Sequence, residues 1–316
     1  MSGIIGLGTA AIGRPQYINL KAESSEVLDI EVFKQKGKIV LEEAYQQGVR
    51  YFDTAPGYGL AEQLVLDWVT EKADTSIEIA SKWGYTYVAN FDPNATVHEV
   101  KDHGLSKLKE QWVQPQKLLP YLTTYQIHSA TFESGVLSNQ AVLDYLFSLK
   151  KEFGIKIGLT TTGDNQVAVI QEARQVMRDN EPLFEVYQCT YNVFDQSIAA
   201  LRDWIKDSKI RLVIKEALAN GRVFPNQAYA QYASHYELLA SLATKYEVGI
   251  DAIALRFCLD SIGAFAILSG VTKSSQLLEN MKATHFTLEG EDIQKIRSVA
   301  ISPVAYWQER KQLGWN

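Results

Sequence analysis

The chain has 316 residues, 46% of them hydrophobic and 22% charged, which is typical of a globular protein with a full-size core. A formal net charge of −6 disfavours nucleic acid or an anionic membrane as the main partner, and no apolar run is long enough to cross a bilayer. The two cysteines, Cys189 and Cys258, are predicted to be buried free thiols, and no cysteine cluster indicates a zinc site. Because the first residues also lack a basic leader, we expect a cytoplasmic protein.

Short apolar strands alternate with amphipathic helices along the chain. Strands are predicted near residues 4–8, 50–53, 77–82, 121–127, 155–159, 184–188, 211–215 and 265–268. Helices are predicted near residues 34–48, 59–72, 96–111, 136–152, 164–179, 196–207, 235–260 in two pieces, and 274–284. This alternation indicates right-handed βαβ units and a parallel sheet. Eight repeats would close an α/β fold of the (β/α)8 TIM barrel type, as one domain over residues 1–316.

A doubly wound open sheet is the alternative to the barrel, and periodicity alone does not separate the two. The dinucleotide-binding fingerprint of the open fold is incomplete, since Gly6 and Gly8 are not followed by a third glycine at the required spacing. Candidate catalytic residues also stand at the ends of successive strands, as they do in barrel enzymes. The barrel is therefore the predicted fold.

Four ionisable residues lie at or just after the ends of the second, third and fourth predicted strands. They are Asp53, Tyr58, Lys82 and His128. Each has a structural alternative: Asp53 as a turn or helix cap, Tyr58 as a half-buried turn residue, and His128 as a hydrogen-bonded structural group. Lys82 is unusual at the end of an apolar strand, because burying an ammonium without a partner is costly. On the same face of a barrel the four would form a proton-transfer site.

The properties of these side chains predict a division of roles. Tyr58 would be the general acid for a carbonyl that becomes an alkoxide, with Lys82 lowering its pKa. Asp53 would pair with Lys82 and permit its burial, and His128 would orient a substrate oxygen. None of these groups supplies a hydride, so the site implies a cofactor such as a nicotinamide.

The run from Phe52 to Glu62, with Asp53 and Tyr58 in it, closely resembles the signature of the aldo-keto reductases, and Gly6-Leu-Gly-Thr9 is similar to their first strand. This resemblance covers nearly the whole chain and implies a (β/α)8 barrel, the tetrad above, and non-covalent NADPH bound without a Rossmann domain. The cofactor-binding positions that it implies are Gly8, Thr9, Asp53, Thr160, Gln188, Lys215, Gly270, Lys273, Ser274, Gln276, Glu279 and Asn280.

The chain departs from this pattern around the nicotinamide and the adenosine. Thr161 replaces the second residue of a Ser-Asn pair, and Lys215 stands where many members carry an aromatic residue. Lys215 would meet a phosphate or the substrate, or pair with Glu216. Lys273 and Ser274 would hold a 2′-phosphate at a helix start, although Gln276 replaces a common arginine. NADP(H) is predicted over NAD.

The partner is predicted to be a small carbonyl compound, with Trp83 and Trp307 among the substrate-contacting residues. The segment 302–316 is aromatic and lacks clear periodicity, so it would be a loop over the barrel mouth or a terminus packed outside. His98, Glu99 and His103 lack a full metal-ligand set, and a solvated helix face is the favoured interpretation. No metal is predicted.

The leading functional hypothesis is an NADP(H)-dependent oxidoreductase that reduces an aldehyde or ketone to an alcohol. Two alternatives remain from the sequence. One is an NADPH-binding regulatory or redox-sensing subunit on the same barrel, and the other is a sugar or alcohol dehydrogenase that works in the oxidative direction.

Overall fold

The computed structural model describes residues 3–15, 29–92 and 94–314. The strands in this part of the chain, in order, are β1 (Ile4–Gly8), β2 (Tyr51–Asp53), β3 (Glu78–Trp83), β4 (Tyr85–Tyr87), β5 (Glu99–Lys101), β6 (Leu122–Ala130), β7 (Lys156–Thr161), β8 (Met177–Arg178), β9 (Glu181–Pro182), β10 (Phe184–Thr190), β11 (Arg211–Lys215) and β12 (Ala266–Ser269).

The α-helices of the same part are α1 (Ala10–Gly13), α2 (Ile30–Gln46), α3 (Ala61–Val69), α4 (Leu105–Trp112), α5 (Gln140–Phe153), α6 (Gln166–Ala173), α7 (Arg202–Asp207), α8 (Ala233–Tyr246), α9 (Ile250–Ile262), α10 (Ser274–Met281), α11 (Gly290–Ser298) and α12 (Pro303–Lys311). Short 3₁₀ helices occupy Pro56–Tyr58, Pro115–Leu118, Val136–Ser138, Ser197–Leu201, Ala219–Gly221, Gln227–Tyr232 and Lys282–Thr284. Among the described residues, no helix has the length and apolar character needed to span a membrane.

Eight parallel strands form a closed barrel in the order β1-β12-β11-β10-β7-β6-β3-β2. Each of the eight corresponds to a predicted strand, so the (β/α)8 prediction is confirmed. The helices follow the strands in sequence and cover the outside, as parallel neighbours require a crossover connection. The carboxyl ends of all eight strands meet at one rim, which we call the barrel mouth.

Apolar side chains fill two regions. Inside the barrel, a small cluster is formed by Tyr51, Ala80, Val186, Val213, Ala266 and Leu268. Between the strands and the helices lies a larger core, to which Leu41, Val65, Leu146, Ile170 and Leu255 contribute from the helices. This alternation of inward and outward side chains follows from the two-residue period of a strand. It leaves the last inward residue of each strand facing the mouth.

The predicted helix over residues 96–111 is wrong in its first half. Residues Glu99–Lys101 are β5, which pairs antiparallel with β4, and helix α4 begins only at Leu105. Tyr85-Thr86-Tyr87 is rich in residues that favour strands, and Gly84, at φ +108°, permits the sharp turn between β3 and β4. We call the pair of strands β4 and β5 the hairpin.

The segment after residue 301 is a helix where it is described, and the loop that was one of the two expectations is not formed there. Ser302 caps α12, because its side chain accepts a hydrogen bond from the backbone N–H of Ala305, and Pro303 occupies the first helical position. Tyr306 and Trp307 on this helix are buried. Helix α12 therefore packs into the fold beside the ends of β10 and β11, where Trp307 contacts Asp195 and Arg310 pairs with Glu216.

Gly13 fixes the turn that carries Tyr58. A Cβ atom at Gly13 would lie 2.1 Å from the carbonyl oxygen of Tyr58 and 2.4 Å from Cβ of Ala61. The backbone N–H of Leu60 donates to the carbonyl oxygen of Gly13 at 2.8 Å. The end of α1 and the turn after β2 therefore touch backbone to backbone, which only a residue without a side chain allows.

We predict that Gly13→Ala destabilises the fold by about 1–3 kcal/mol, because the added methyl group has no space beside the Tyr58 turn. Denaturant unfolding would measure the loss. Gly290→Ala is the matched control, since nothing lies within 4 Å of a Cβ at that position. Equal stability of the two variants would contradict the close contact.

Candidate active site

Strands β2 and β3 place a buried ion pair at the mouth. Asp53 is the last residue of β2, and Lys82 is the last but one of β3. The Lys82 ammonium contacts Oδ1 of Asp53 and donates a hydrogen bond to the carbonyl oxygen of Thr54 at 3.1 Å. The Lys82 side chain is 0% exposed and that of Asp53 is 2% exposed. The predicted pairing of these residues is therefore present in the structure.

Two glutamine side chains complete the surroundings of Asp53. Gln188 of β10 donates from Nε2 to Oδ2 of Asp53 at 2.7 Å, and Gln126 of β6 donates to the same oxygen at 3.3 Å. Both carboxylate oxygens are thus engaged, which compensates for the loss of water around a buried charge. Gln188, predicted to contact the cofactor, is held by Asp53 here. Gln126 was not predicted, although it precedes His128 by two residues and shares its face of the strand.

Tyr58 lies above the ion pair. The centre of its ring is 4.7 Å from the Lys82 ammonium and 5.5 Å from the centre of the His128 ring, which it meets edge-on. Burial, reinforced by the charge of Asp53, raises the pKa of Tyr58 well above its ordinary value of 10. This direction is opposite to the lowering expected from Lys82, because desolvation is the larger effect. Tyr58 keeps its proton throughout the physiological range.

His128 of β6 stands between two tyrosines. Its ring centre is 5.5 Å from that of Tyr58 and 4.8 Å from that of Tyr85 on β4. Burial, with a further contribution from the charges of Lys82, Arg14 and Lys215, lowers the pKa of His128 well below 6.5. Its Nδ1 is buried and makes no hydrogen bond within the described residues. A neutral imidazole in this position is suited to donating a hydrogen bond to a carbonyl oxygen.

The hairpin closes one side of the site. Arg14, which follows α1, forms a salt bridge of 2.8 Å with Glu99 of β5, and its guanidinium lies 5.7 Å from the centre of the Tyr58 ring. Lys101 donates to the carbonyl oxygen of Ser129 at 2.8 Å. Arg14 was not predicted as a site residue, and its only signal was its place in a loop directly after the first strand.

His103 lies at the base of the hairpin, directly after Asp102 and the end of β5. Its Nε2 lies 2.9 Å from the carbonyl oxygen of His128, and its ring packs edge-on against Trp83 at 5.3 Å between centres. No group of three or more metal-ligating side chains occurs among the residues that the structure describes. His103 therefore helps to position the strand that carries His128.

Trp83 lies on the wrong side of the barrel to meet a substrate. Successive side chains of a strand point to opposite faces, so Trp83 points outward because Lys82 points inward. Its side chain is fully buried in the core between the strands and the helices. This placement corrects the prediction of Trp83 as a substrate contact.

Trp307 reaches the mouth from helix α12. Its indole N–H donates to Oδ2 of Asp195 at 3.0 Å, and its ring centre is 5.8 Å from the Lys215 ammonium. On the same helix, Arg310 forms a salt bridge of 2.8 Å with Glu216, which follows β11. Trp307 therefore forms part of the wall of the mouth, and its contact with a substrate stays a prediction.

The hydroxyl groups of Thr9 and Thr160, both predicted to bind the cofactor, and that of Thr161 are hydrogen-bonded within the protein. Thr160 accepts a hydrogen bond from the backbone N–H of Ser129 at 2.7 Å, and Thr9 donates to the carbonyl oxygen of Asp53 at 2.9 Å. The hydroxyl of Thr161 donates to Oε1 of Gln166 at 3.3 Å. Gly8, the residue before Thr9, ends β1 opposite Asp53. These residues shape the rim of the mouth.

The predicted cofactor-binding residues between Gly270 and Asn280 lie before or on helix α10. Lys273 is the exposed cap residue of this helix, and Gly270 follows β12 with nothing within 4 Å of a Cβ position. The hydroxyl of Ser274 donates to the carboxylate of Glu43 on α2. Gln276 accepts from the backbone N–H of Thr272 at 3.0 Å.

Two further residues of this group are also held in place. Asn280 donates to the hydroxyl of Ser269 at 2.8 Å, and Glu279 pairs with Lys282 at 2.7 Å. Among the described residues of this segment, Lys273 is thus the cation at the start of α10. Sequence reasoning missed Glu43, because it lies 231 positions away from Ser274 along the chain.

Comparison with known proteins agrees with this architecture. The chain is 24% identical to the aldo-keto reductase YhdN of Bacillus subtilis (strain 168), over 93% of this chain and 89% of that protein. It is 22% identical to the NADH-specific methylglyoxal reductase of Escherichia coli (strain K12), over 94% of each. Among solved structures, aldo-keto reductase AKR11C1 from Bacillus halodurans in its holo form superposes with a TM-score of 0.70 at 19% identity, covering 95% of this chain and 93% of that one.

A second solved structure, the glycerol dehydrogenase AKR11B4 from Gluconobacter oxydans, superposes with a TM-score of 0.69 at 19% identity, over 93% of this chain and 90% of that one. Residues 4–301 match the Aldo/keto reductase family. With the closed barrel and the residues at its mouth, this match over nearly the whole chain shows that the protein belongs to the aldo/keto reductase family of oxidoreductases.

Proposed function

We propose that the protein reduces an aldehyde or ketone to an alcohol, with Tyr58 as the proton donor. The observation that carries this proposal is the convergence of Tyr58 and His128 above the buried pair of Lys82 and Asp53. One relative is named a methylglyoxal reductase, which supports a carbonyl compound as the substrate. When bound, a nicotinamide cofactor supplies the hydride.

The side chains divide the remaining work. Neutral His128 donates a hydrogen bond to the carbonyl oxygen and orients it towards Tyr58. Tyr58 holds its proton until negative charge develops on that oxygen, and then transfers it. The Lys82 ammonium, 4.7 Å from the centre of the Tyr58 ring, stabilises the negative charge left on the phenolic oxygen. Asp53 keeps Lys82 in place while the hairpin restricts water at the site.

We propose NADP(H) as the cofactor, bound non-covalently. Lys273 and the first backbone N–H groups of α10 form the kind of cationic helix start that binds a phosphate group, so the residues present fit the cofactor. The nearby carboxylate of Glu43, bonded to Ser274, opposes an added phosphate. The preference for NADP(H) over NAD therefore depends on the balance between attraction by Lys273 and repulsion by Glu43. One relative is named as NADH-specific.

We predict that Tyr58→Phe lowers kcat/KM for carbonyl reduction by about 10²–10⁴-fold, because the ring remains but the proton donor is lost. Steady-state assays with an aldehyde such as methylglyoxal would measure this. Cofactor affinity, followed by the quenching of tryptophan fluorescence, should stay within about threefold of the unmodified protein. Reduction at a near-normal rate would remove Tyr58 from its role. A wild-type protein that binds cofactor but turns over very slowly would favour the sensor hypothesis.

The pKa shifts predict a flat pH profile. Because the pKa of His128 is lowered, the imidazole stays neutral at and below its usual value of 6.5, and because that of Tyr58 is raised, the phenol stays protonated beyond pH 10. We therefore expect kcat/KM for reduction to be nearly constant from about pH 6 to about pH 9. The assignment would be contradicted if the activity of the wild type fell with a midpoint near pH 8 while the residual activity of Tyr58→Phe did not.

Cofactor choice can be tested at the helix start. Lys273→Met should weaken NADPH binding by about tenfold and leave NADH binding within about twofold, since only NADPH carries the 2′-phosphate. Glu43→Gln should strengthen NADPH binding relative to NADH, because it removes an opposing charge. Fluorescence titration with both cofactors would measure these changes. Equal effects on the two cofactors would show that neither residue meets the 2′-phosphate.

A further inference from the structure

The charged groups around Glu216 do not balance. Glu216 pairs with Arg310 at 2.8 Å, and Lys215 lies farther from it, at 3.9 Å. Arg222 also acts on Glu216 electrostatically, but it pairs with Glu309 at 3.1 Å. Three cations therefore share two carboxylates, which leaves about one positive charge in this cluster. Arg310 and Arg222 each have a carboxylate at hydrogen-bonding distance, and Lys215 is the cation of the three that has none.

Neighbouring ion pairs do not neutralise Lys215. At the mouth, the carboxylate of Asp53 is engaged by Lys82, and that of Glu99 by Arg14. Asp195 accepts hydrogen bonds from Trp307 at 3.0 Å and from Gln166 at 3.1 Å, and burial raises the pKa of its carboxyl group. The carboxyl groups on this side of the mouth are thus committed to other partners.

Lys215 has hydrogen-bonding capacity left for a ligand. It is the last residue of β11, and its ammonium donates to Oγ1 of Thr190, its register partner on β10, at 3.1 Å. An ammonium carries three donors, and the distance of 3.9 Å to Glu216 is too long for a hydrogen bond. The Lys215 side chain is 20% exposed, whereas that of Lys82 is 0% exposed. Of these two lysines, Lys215 is the one that reaches the open mouth.

Lys215 also lies within electrostatic reach of the catalytic residues. Its charge contributes, after burial and the charges of Lys82 and Arg14, to the lowered pKa of His128. The ring of Trp307, whose centre is 5.8 Å from the ammonium, supplies an apolar wall beside it. A molecule whose carbonyl oxygen meets His128 and Tyr58 would thus have a cation and an aromatic ring nearby.

We propose that Lys215 is a specificity-determining residue that selects carbonyl substrates bearing an anionic group, a carboxylate or a phosphate ester, close to the reacting carbonyl. This inference rests on the proposed carbonyl reduction and names the class of substrate for that site. The ammonium binds the anionic group through its remaining donors, and the excess positive charge of the cluster attracts it.

The decisive comparison uses two aldehydes that differ only in charge, 4-carboxybenzaldehyde and its neutral methyl ester. The wild type should show a higher kcat/KM for the acid. Lys215→Met, which keeps the length of the side chain, should lower kcat/KM for the acid by about 10–100-fold, mainly through KM, and change that for the ester by less than about threefold. Lys215→Arg, which keeps the charge, should retain most of the preference for the acid.

Two outcomes would overturn the proposal. If Lys215→Met lowers kcat/KM for the acid and the ester equally and weakens the binding of NADPH in a fluorescence titration, Lys215 binds the cofactor and not the substrate. If neither rate changes, the lysine is structural.

A calorimetric binding measurement with 4-carboxybenzaldehyde separates this proposal from the reaction itself. If the wild type reduces neither aldehyde, the proposed function fails. Binding of the acid by the wild type but not by Lys215→Met would still support the anion site, and equal binding or no binding would refute it.

Discussion

The buried ion pair between Lys82 and Asp53 is the interaction on which the rest of the site depends. An ammonium with no exposed surface is tolerated only beside a compensating charge, and Asp53 supplies that charge while Gln188 and Gln126 hold its second oxygen. These four residues come from β2, β3, β6 and β10. The pair and the two glutamines therefore connect distant strands at the barrel mouth, and they form the layer of side chains on which Tyr58 lies.

The protonation states of Tyr58 and His128 depend on burial more than on the charges beside them. Burial raises the pKa of Tyr58 and lowers that of His128, so both are neutral where the reaction needs a proton donor and a hydrogen-bond donor. Two additions to the barrel line the mouth, and one of them, the hairpin, packs Tyr85 against the His128 ring. The hairpin is held by Arg14 and Glu99, and helix α12 is held by Trp307 and Arg310.

The sequence predicts the parts of this molecule that depend on local pattern. The eight strands follow from apolar runs, and Asp53 and Tyr58 from one short motif. Strand alternation could also have placed Trp83 outside the barrel, because Lys82 precedes it. Long-range contacts were beyond reach: the salt bridge of Arg14 with Glu99 joins positions 85 apart, and that of Arg310 with Glu216 joins positions 94 apart. The direction of the Tyr58 pKa shift also required the burial, which no local pattern reports.

Proton transfer from Tyr58 leaves a phenolate, and the positive charge of Lys82 stabilises it. Single-turnover reduction of an aldehyde by Lys82→Met, preloaded with saturating reduced cofactor, tests this stabilisation most directly. We expect the rate of the chemical step to fall by about 100-fold or more, while cofactor affinity stays within about threefold of the wild type. Circular dichroism should show that the variant is folded. A chemical step near the wild-type rate in the folded variant would contradict this role of Lys82.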